Sequence, residues 1–208
     1  LYEIVLHPIA SLINFNFLHY HMENTKLENK ILEIISKSPV KTDLSHAKST
    51  RKWILKLKPD ADYALQISAL AHDIERGFES NYHNKTKEKF DNYKEHKRIH
   101  SEKSAKIIVE LLEKHNFDKE FISKVKHLVL KHEFGGDFES NLLMDADSIS
   151  FFEENFVQYN EKFGEEKTRK KIRFMYDRMS DKAKSLVKDI QYDDPKLNLI
   201  FKEEISDK

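Results

Sequence analysis

Cysteine is absent from this 208-residue sequence, and glycine and proline occur only four times each. A chain without thiols has no disulfide, no Cys-ligated zinc site and no thiol nucleophile. The scarcity of glycine and proline leaves long stretches without helix breakers, which favours helices. We therefore expect a helix-rich protein of the cytoplasm.

An excess of charge of either sign is also absent, since 36 Lys and Arg residues balance 36 Asp and Glu residues. The chain therefore has no global basic field to attract nucleic acid or an anionic membrane. No apolar run reaches the roughly 18 residues that a membrane-spanning helix needs. We expect no membrane partner and no strong nucleic-acid partner, while a homo-oligomer stays open.

Residues 1–21 differ in composition from the rest of the chain. They are apolar and aromatic, are interrupted by Pro8, and lack the basic start and small-residue cleavage site of a secretory signal. We expect an N-terminal extension here, one functional domain over 22–194, and a loosely held C-terminal tail over 195–208.

Apolar residues recur at a spacing near 3.6 along almost the whole domain, and no segment alternates with a period of two. This pattern predicts an all-α fold, a single-domain helical bundle. The polar residues 78–95 predict a loop with a short helix. The predicted helices run from Thr42 or Asp43 to about Lys58, from Pro59-Asp60 to near Gly77, from about Ile99 to Lys114, from Asp118 to Gly135-Gly136, from about Leu142 to Phe163, and on from Gly164.

The strongest chemical feature is the adjacent pair His72-Asp73, which closes an apolar run. A histidine and a carboxylate buried side by side are costly unless they are paired or bound to a cation. Helical spacing places further polar residues on apolar stripes. These residues are His46, His100, His132 and Asp147.

Each of these residues alone would be an ordinary buried polar residue of a helical core. Together they would leave uncompensated buried charge unless they meet, and a shared metal ion removes that penalty. Asp145 is placed differently, to cap the helix of Asp147 or to support a ligand. His127 faces away from the stripe that contains His132.

Three of these segments resemble the HD superfamily of metal-dependent phosphohydrolases. His46 resembles its first histidine, the run from Leu70 to Ile74 its His-Asp motif, and the segment from Met144 to Asp147 its last aspartate. The resemblance covers about residues 40–160 and implies an HD-type helical bundle. A second, longer similarity to an uncharacterised family of HD-like proteins, known only as a domain of unknown function, rests on the segments from Arg98, at Phe152-Glu153 and from Glu165 to Ser180.

The first resemblance implies a metal site and assigns roles within it. Where the superfamily commonly has Gly-Lys after the motif, this chain has Glu75-Arg76, so Arg76 would supply the cation that contacts phosphate. The implied metal ligands are His46, His72, Asp73 and Asp147, with His100 and His132 for a second ion. The implied catalytic residues are Asp73, Arg76 and His100, and the implied phosphate contacts are Arg76, Lys97 and Arg98.

Imidazole and carboxylate ligands without sulfur favour Mn, Fe, Co or Ni over Zn, with Mg as a further candidate. The predicted function is a metal-dependent phosphohydrolase that uses metal-activated water on a phosphomonoester or phosphodiester, a nucleotide or related small molecule. Two alternatives stay open. One is a catalytically weak sensor of metal or nucleotide, and the other is a helical interaction module that keeps the pocket.

Overall fold

The computed structural model describes residues 22–78 and 93–206, and these are almost entirely helical, with no strand among them. The prediction of an all-α single-domain bundle is confirmed. The extension predicted for residues 1–21, and most of the loop predicted for 78–95, lie outside the described residues. Within the described ranges, no helix combines the length and apolar character that a membrane crossing needs.

The described residues form ten α-helices, numbered here in chain order, together with one 3₁₀ turn and one π-helical turn. The 3₁₀ turn Ile74–Phe78 follows α3, and the π-helical turn Phe151–Asn155 joins α6 to α7. The helices are α1 (22–35), α2 (Asp43–Leu57), α3 (Tyr63–Ala71), α4 (Tyr93–Lys114), α5 (Lys119–Lys131), α6 (Phe138–Ser150), α7 (Phe156–Phe163), α8 (Glu165–Asp177), α9 (Asp181–Val187) and α10 (Pro195–Ser206).

Side-chain caps fix where several helices begin. The Asp118 carboxylate accepts the backbone N–H of Phe121 at the start of α5, as the sequence predicts. At α6 the side chains of Asp137 and Ser140 form a reciprocal capping box, so this helix begins at Phe138 and not near Leu142.

The second predicted helix is shorter than expected at both ends. It begins at Tyr63 because the Asp62 side chain accepts the backbone N–H of Leu65 at 3.0 Å, not at Pro59-Asp60. It ends at Ala71 and not near Gly77, since the chain tightens into the 3₁₀ turn immediately after His72-Asp73. Because the helical pitch changes here, the side chains of His72 and Asp73 point toward different neighbouring residues.

The expectation of a loose tail after residue 194 is wrong for residues 195–206. These residues form α10, and its apolar side chains are buried in the core: Leu197, Ile200, Phe201 and Ile205. They lie at positions i, i+3, i+4 and i+8, which is the spacing of an amphipathic helix. The helix packs against α8.

The core consists of two hydrophobic clusters. One lies among α2, α3 and the helices from α6 to α10, and it includes Leu65, Phe152 and Tyr176. The other lies among α1 to α5 and includes Ile31 and Ile108. Helices α2, α3 and α5 contribute to both clusters, α5 through Leu128 in the first and Val125 and Val129 in the second.

Candidate metal centre

The structure brings together six polar side chains from five helices or helix ends. Helices α2, α4 and α6 each provide one, and the residues just after α3 and α5 provide the others. All six are buried, with at most 8% of any residue exposed. They are His46, His72, Asp73, His100, His132 and Asp147.

Three of the six side chains form a first group around the ends of α2 and α3 and the middle of α6. His46 Nε2 lies 3.2 Å from His72 Nε2 and 3.1 Å from Asp147 Oδ1, and His72 Nε2 lies 3.6 Å from that same oxygen. Each residue therefore offers one ligand atom, and the three atoms lie close enough to hold one metal ion.

Asp73, His100 and His132 form a second group of the same kind. Asp73 Oδ1 lies 2.8 Å from His100 Nε2 and 3.9 Å from His132 Nε2. The other oxygen, Asp73 Oδ2, lies 3.6 Å from His72 Nε2. The Asp73 carboxylate therefore stands between the two groups, in the position of a bridging ligand.

Backbone carbonyls fix the protonation of two of the four imidazoles. His72 Nδ1 lies 2.9 Å from the carbonyl oxygen of Ala69, and His132 Nδ1 lies 2.7 Å from that of Val129. A carbonyl only accepts hydrogen bonds, so Nδ1 must donate in both rings. In the neutral rings, Nε2 then carries the lone pair.

The other two imidazoles are fixed in the same sense by side chains. His100 Nδ1 donates to Glu75 Oε1 at 2.6 Å. His46 Nδ1 lies 2.9 Å from Ser150 Oγ, and that hydroxyl donates its proton to the His46 carbonyl, so it accepts from the ring. In its neutral form, each of the four histidines thus turns the Nε2 lone pair toward the centre, the arrangement typical of metal-ligating histidines.

This arrangement fits a metal ion. When both rings are neutral, the Nε2 lone pairs of His46 and His72 face each other 3.2 Å apart, so either a proton or a metal ion must lie between them. Two ligands with bonds of about 2.1 Å at a right angle are separated by about 3 Å. His100 Nε2 is buried 2.8 Å from Asp73 Oδ1, and since a carboxylate oxygen only accepts, a proton or a metal ion is needed between these two atoms as well.

Arginines balance the carboxylates on the side away from the histidines. Arg76 Nη1 lies 2.6 Å from Asp73 Oδ2 and 3.1 Å from Asp43 Oδ1. Arg178 pairs through Nη2 with Asp147 Oδ2. Burial raises the pKa of both aspartates, but Arg76 on Asp73 and Arg178 on Asp147 outweigh it and hold each pKa well below its ordinary value.

The histidines differ in how readily they take a proton. Burial lowers the pKa of His72, but Asp73 and Asp147 outweigh that effect and raise it to about 9. Burial lowers the pKa of His132 to about 4. Burial also lowers the pKa of His100, but Glu75 and Asp73 outweigh that effect and raise it well above its ordinary value. Without an ion, His72 and His100 therefore hold positive charge beside the carboxylates at neutral pH, whereas His132 stays neutral and available as a ligand.

Besides Arg76, the sequence predicts two phosphate contacts, Lys97 and Arg98, and the structure places them differently. Lys97 is buried and pairs with Glu133, 2.5 Å away. Arg98 is not brought to the centre: it lies on the outer face of α4, half exposed, and pairs with Glu95 and Glu102. The reason is helical geometry, since a residue two positions from His100 points about 160° away from it.

The structure also tests the predictions for Asp145 and His127. Asp145 does not cap its own helix; its carboxylate accepts the backbone N–H of Ser180 at 2.8 Å and the Ser180 hydroxyl at 2.5 Å, which ties α6 to the start of α9. His127 is 53% exposed and pairs with Asp137, as expected for a histidine on the outer face. His96 shares α4 with His100, because that helix begins at Tyr93.

Sequence reasoning missed several supporting residues. Glu75 and Ser150 hold His100 and His46, and Arg178 links Asp147 to Glu133 and to Ser148. The sequence indicates an inward position for Arg178 in one way only. It follows Lys171 by seven residues, on the same side of α8 as Phe174 and Met175. Glu75 is visible only as a charged residue that ends an apolar run.

A cavity of about 340 Å³ lies beside the metal centre. A smaller space of about 60 Å³ is lined by His46, Asp73 and Asp147, among other residues. Four residues line both spaces: Arg76, Phe151, Asn155 and Lys171. The rest of the cavity wall comes from the N-terminal end of α2, from His96 on α4 and from α7.

The family comparison matches residues 19–200 to the model of a family described as Domain of unknown function (DUF4202), and the chain belongs to that family. The matched range includes every residue of the metal centre and continues into α10. No curated protein and no solved structure matches the chain. Family membership therefore names no reaction, and the functional argument rests on the geometry of the site.

Proposed function

We propose that this protein is a metal-dependent phosphohydrolase of the HD type, which hydrolyses phosphomonoesters or phosphodiesters. One observation carries the proposal: four buried imidazoles turn their Nε2 atoms toward two shared carboxylates, next to a cavity lined by cations. The resemblance to the HD superfamily adds the order of these ligands along the chain.

Two groups of residues would hold the metal. His46, His72 and Asp147 suit one ion, His100 and His132 suit a second, and Asp73 lies between them. A divalent metal, when bound there, lowers the pKa of water and polarises a phosphoryl oxygen. The sulfur-free donor set favours Mn, Fe, Co or Ni, with Mg as a further candidate.

Residues of the chain itself bind the substrate phosphate and orient the ligands. Arg76 reaches from the cavity to Asp73, so it can hold a substrate phosphate beside the ligands while it keeps that carboxylate oriented. Arg178 fixes the Asp147 carboxylate, and Glu75 fixes the proton of His100. In the reaction, the water oxygen bonds to phosphorus, the ester P–O bond breaks, and the leaving oxygen takes up a proton.

The direct test combines metal analysis with a substrate screen. The full chain, purified without a His-tag, should contain a stoichiometric transition metal, and phosphate release should appear in a panel of phosphomonoesters and phosphodiesters with added Mn or Co. The variant His72→Ala should lose activity by more than roughly 100-fold, because supporting residues alone give 10- to 100-fold effects.

His127→Ala is the matched control, since it removes an exposed histidine that faces away from the centre. Circular dichroism of both variants separates lost chemistry from lost folding, and Asp147→Asn provides a second ligand change that keeps the side-chain volume. Full activity in His72→Ala would refute the assignment. Tight metal binding without hydrolysis of any ester would favour a sensor instead.

A further inference from the structure

We propose that Lys171 donates a proton to the leaving oxygen when the ester bond breaks. This inference rests on the proposed function for the reaction itself, and it assigns the proton donor that the reaction requires. It also gives Lys171 a role different from that of Arg76, the other cation that lines both spaces beside the metal ligands.

The two spaces indicate where the leaving oxygen lies. His46, Asp73 and Asp147 line the smaller space, and the larger cavity, of about 340 Å³, has room for a small organic group. An ester with its phosphorus at the ligands and its organic part in the cavity has its bridging oxygen between the two. That oxygen therefore lies beside side chains that line both spaces.

Four side chains line both spaces, and one of them can release a proton near neutral pH. They are Arg76, Phe151, Asn155 and Lys171. The ring of Phe151 and the amide of Asn155 do not ionise, and a guanidinium such as that of Arg76 keeps its protons. Lys171 is therefore the candidate acid among the four.

The contacts of Lys171 leave its N–H groups available to a substrate. Its amino nitrogen lies 5.1 Å from the centroid of the Phe151 ring and 5.4 Å from that of the Phe174 ring. It pairs with no carboxylate of the described residues. The two rings therefore hold the ammonium in place while no acceptor of the described chain occupies it.

The neighbouring cations are engaged in a different way. Lys97 and Arg178 also lie over the Phe174 ring, 4.0 Å and 5.4 Å from its centroid, but both pair with Glu133. Within the described ranges, Lys171 is thus the cation of this group that has no carboxylate partner. An oxygen on which negative charge develops is its natural partner.

The surroundings of Lys171 also adjust its acidity. Burial, and then the charge of Arg178, lower its pKa to about 8, together with Lys97 on α4 and against the opposite effects of Glu133 and Asp147. An amine with this pKa still holds its proton at pH 7 and gives it up more readily than an ordinary lysine. A general acid needs both properties.

The step conserves atoms, electrons and protons. The water oxygen bonds to phosphorus, and the ester P–O bond breaks with its electron pair left on the leaving oxygen. A proton passes from Lys171 Nζ to that oxygen, so the organic product leaves as a neutral alcohol. The amine then regains a proton from solvent, to which the attacking water has released one.

The basicity of the leaving group determines how much this proton matters. An alkoxide is a strong base and leaves slowly unless it is protonated, whereas 4-nitrophenolate is a weak base that leaves without a proton. Loss of the donor should therefore slow the hydrolysis of alkyl esters far more than that of 4-nitrophenyl esters. Loss of a residue that only binds phosphate or supports the fold should slow both alike.

Rates for paired esters test the proposal on the full chain with added Mn. The monoester pair is glycerol 2-phosphate and 4-nitrophenyl phosphate, and the diester pair is glycerophosphocholine and bis(4-nitrophenyl) phosphate. Lys171→Met should reduce kcat/KM for the alkyl member by roughly 100- to 10,000-fold, the usual contribution of a general acid. For the nitrophenyl member, the lost positive charge should cost no more than roughly tenfold.

Two further variants separate charge from proton donation. Lys171→Arg keeps a positive charge but no proton that it can release, so it should recover the nitrophenyl rate and leave the alkyl rate low. Lys170→Met is the matched control, because Lys170 is the exposed neighbour on α8 and pairs with Glu166. It should act like the unaltered protein on every ester, and circular dichroism checks the fold of all three variants.

Chemical labelling of the metal-free chain gives a readout that needs no turnover. The rate at which acetic anhydride modifies Lys171, followed by mass spectrometry of its peptide, should reach half of its maximum near pH 8. A midpoint at the ordinary lysine pKa of about 10.4 would overturn the assignment.

The outcomes distinguish this inference from the proposed function. Equal losses for the two members of a pair in Lys171→Met, or a full alkyl rate in Lys171→Arg, would overturn the proton donor and leave the phosphohydrolase standing. Absence of hydrolysis of any ester in the wider panel, under any metal, would overturn the proposed function and the role of Lys171 with it.

Discussion

At the scale of single residues, the Glu75 carboxylate decides where His100 holds its proton. It accepts the Nδ1 proton at 2.6 Å and lies buried against Ser104 as well. Glu75→Gln keeps the shape but removes the charge that strengthens His100 as a ligand. We expect metal affinity at this position to fall by roughly 10- to 100-fold, measured by competition with a fluorescent chelator.

Glu110→Gln is the control for this change, because Glu110 lies on the exposed face of the same helix as His100. It should leave metal affinity unaltered. If Glu75→Gln bound metal as tightly as Glu110→Gln, the Glu75–His100 hydrogen bond would have no part in holding an ion.

Arg178 is the second residue whose removal gives a defined result. Its side chain is 10% exposed and pairs with both Asp147 and Glu133. Arg178→Met would leave the buried Asp147 without its arginine and Glu133 with Lys97 alone, which costs about 3–5 kcal/mol of unfolding free energy. Urea denaturation in the presence of a chelator measures this loss.

A bound metal ion should restore part of the stability lost in Arg178→Met, because the ion neutralises Asp147 from the side of the histidines. Arg173→Met is the matched control on the same helix: Arg173 is 52% exposed and pairs with Glu204, so its loss should cost no more than about 1 kcal/mol. Equal losses in the two variants would show that the buried pairs of Arg178 contribute no more than a surface ion pair.

Residues of the centre could be predicted from the sequence where helical register alone brings them inward. His46, His100 and His132 each lie on an apolar stripe, and each is buried. Glu75 and Arg178 could not be found in this way, because their partners are distant in the sequence and register does not identify a partner. Arg98 was placed at the centre by its position in the sequence, yet its side chain points outward.

At the scale of helices, Asp137 gives a prediction that depends on pH. It caps α6, the helix that carries Asp147, and the backbone N–H of Ser140 lowers its pKa from the ordinary 3.8 to about 2. A carboxylate with a lowered pKa stabilises the fold above pH 3.8, and this contribution is lost as the pH falls toward 2.

Asp137→Asn keeps a capping side chain but cannot titrate, and it loses the favourable charge at the helix N-terminus. At pH 6 the variant should be less stable than the unaltered protein by about 0.3–1 kcal/mol. Below pH 3.8 the difference should shrink, and urea denaturation at several pH values measures it. A difference that stays constant down to pH 2 would contradict the assigned pKa shift.

The type of element was easier to predict than its ends. The spacing of apolar residues predicts that the chain is helical, but the ends depend on individual caps such as Asp62 and Asp137. The end of α3 matters most, because the 3₁₀ turn there orients Asp73 and Glu75. Helix α10 was missed because its apolar residues gain their partners only when α8 packs against them.

At the scale of the whole molecule, the metal centre lies between the two hydrophobic clusters. Its ligands come from α2 and from the ends of α3 and α5, which contribute to both clusters, from α4 on one side, and from α6 on the other. An ion bound by all of them would therefore link the two halves of the core. A ligand that binds only the folded chain raises its unfolding free energy by mass action.

This arrangement predicts a concerted effect of metal on stability. With free Mn or Co at about 100 times its dissociation constant, the unfolding free energy should rise by about 2.7 kcal/mol. Hydrogen exchange should slow in α4 and α6 together, although they belong to different clusters, because both contribute ligands. His46→Ala should reduce the effect in both helices, while His127→Ala should leave it intact. Slower exchange in only one of the two helices would mean that the ion is held within one cluster, and the ligands of the other would then have no role in binding it.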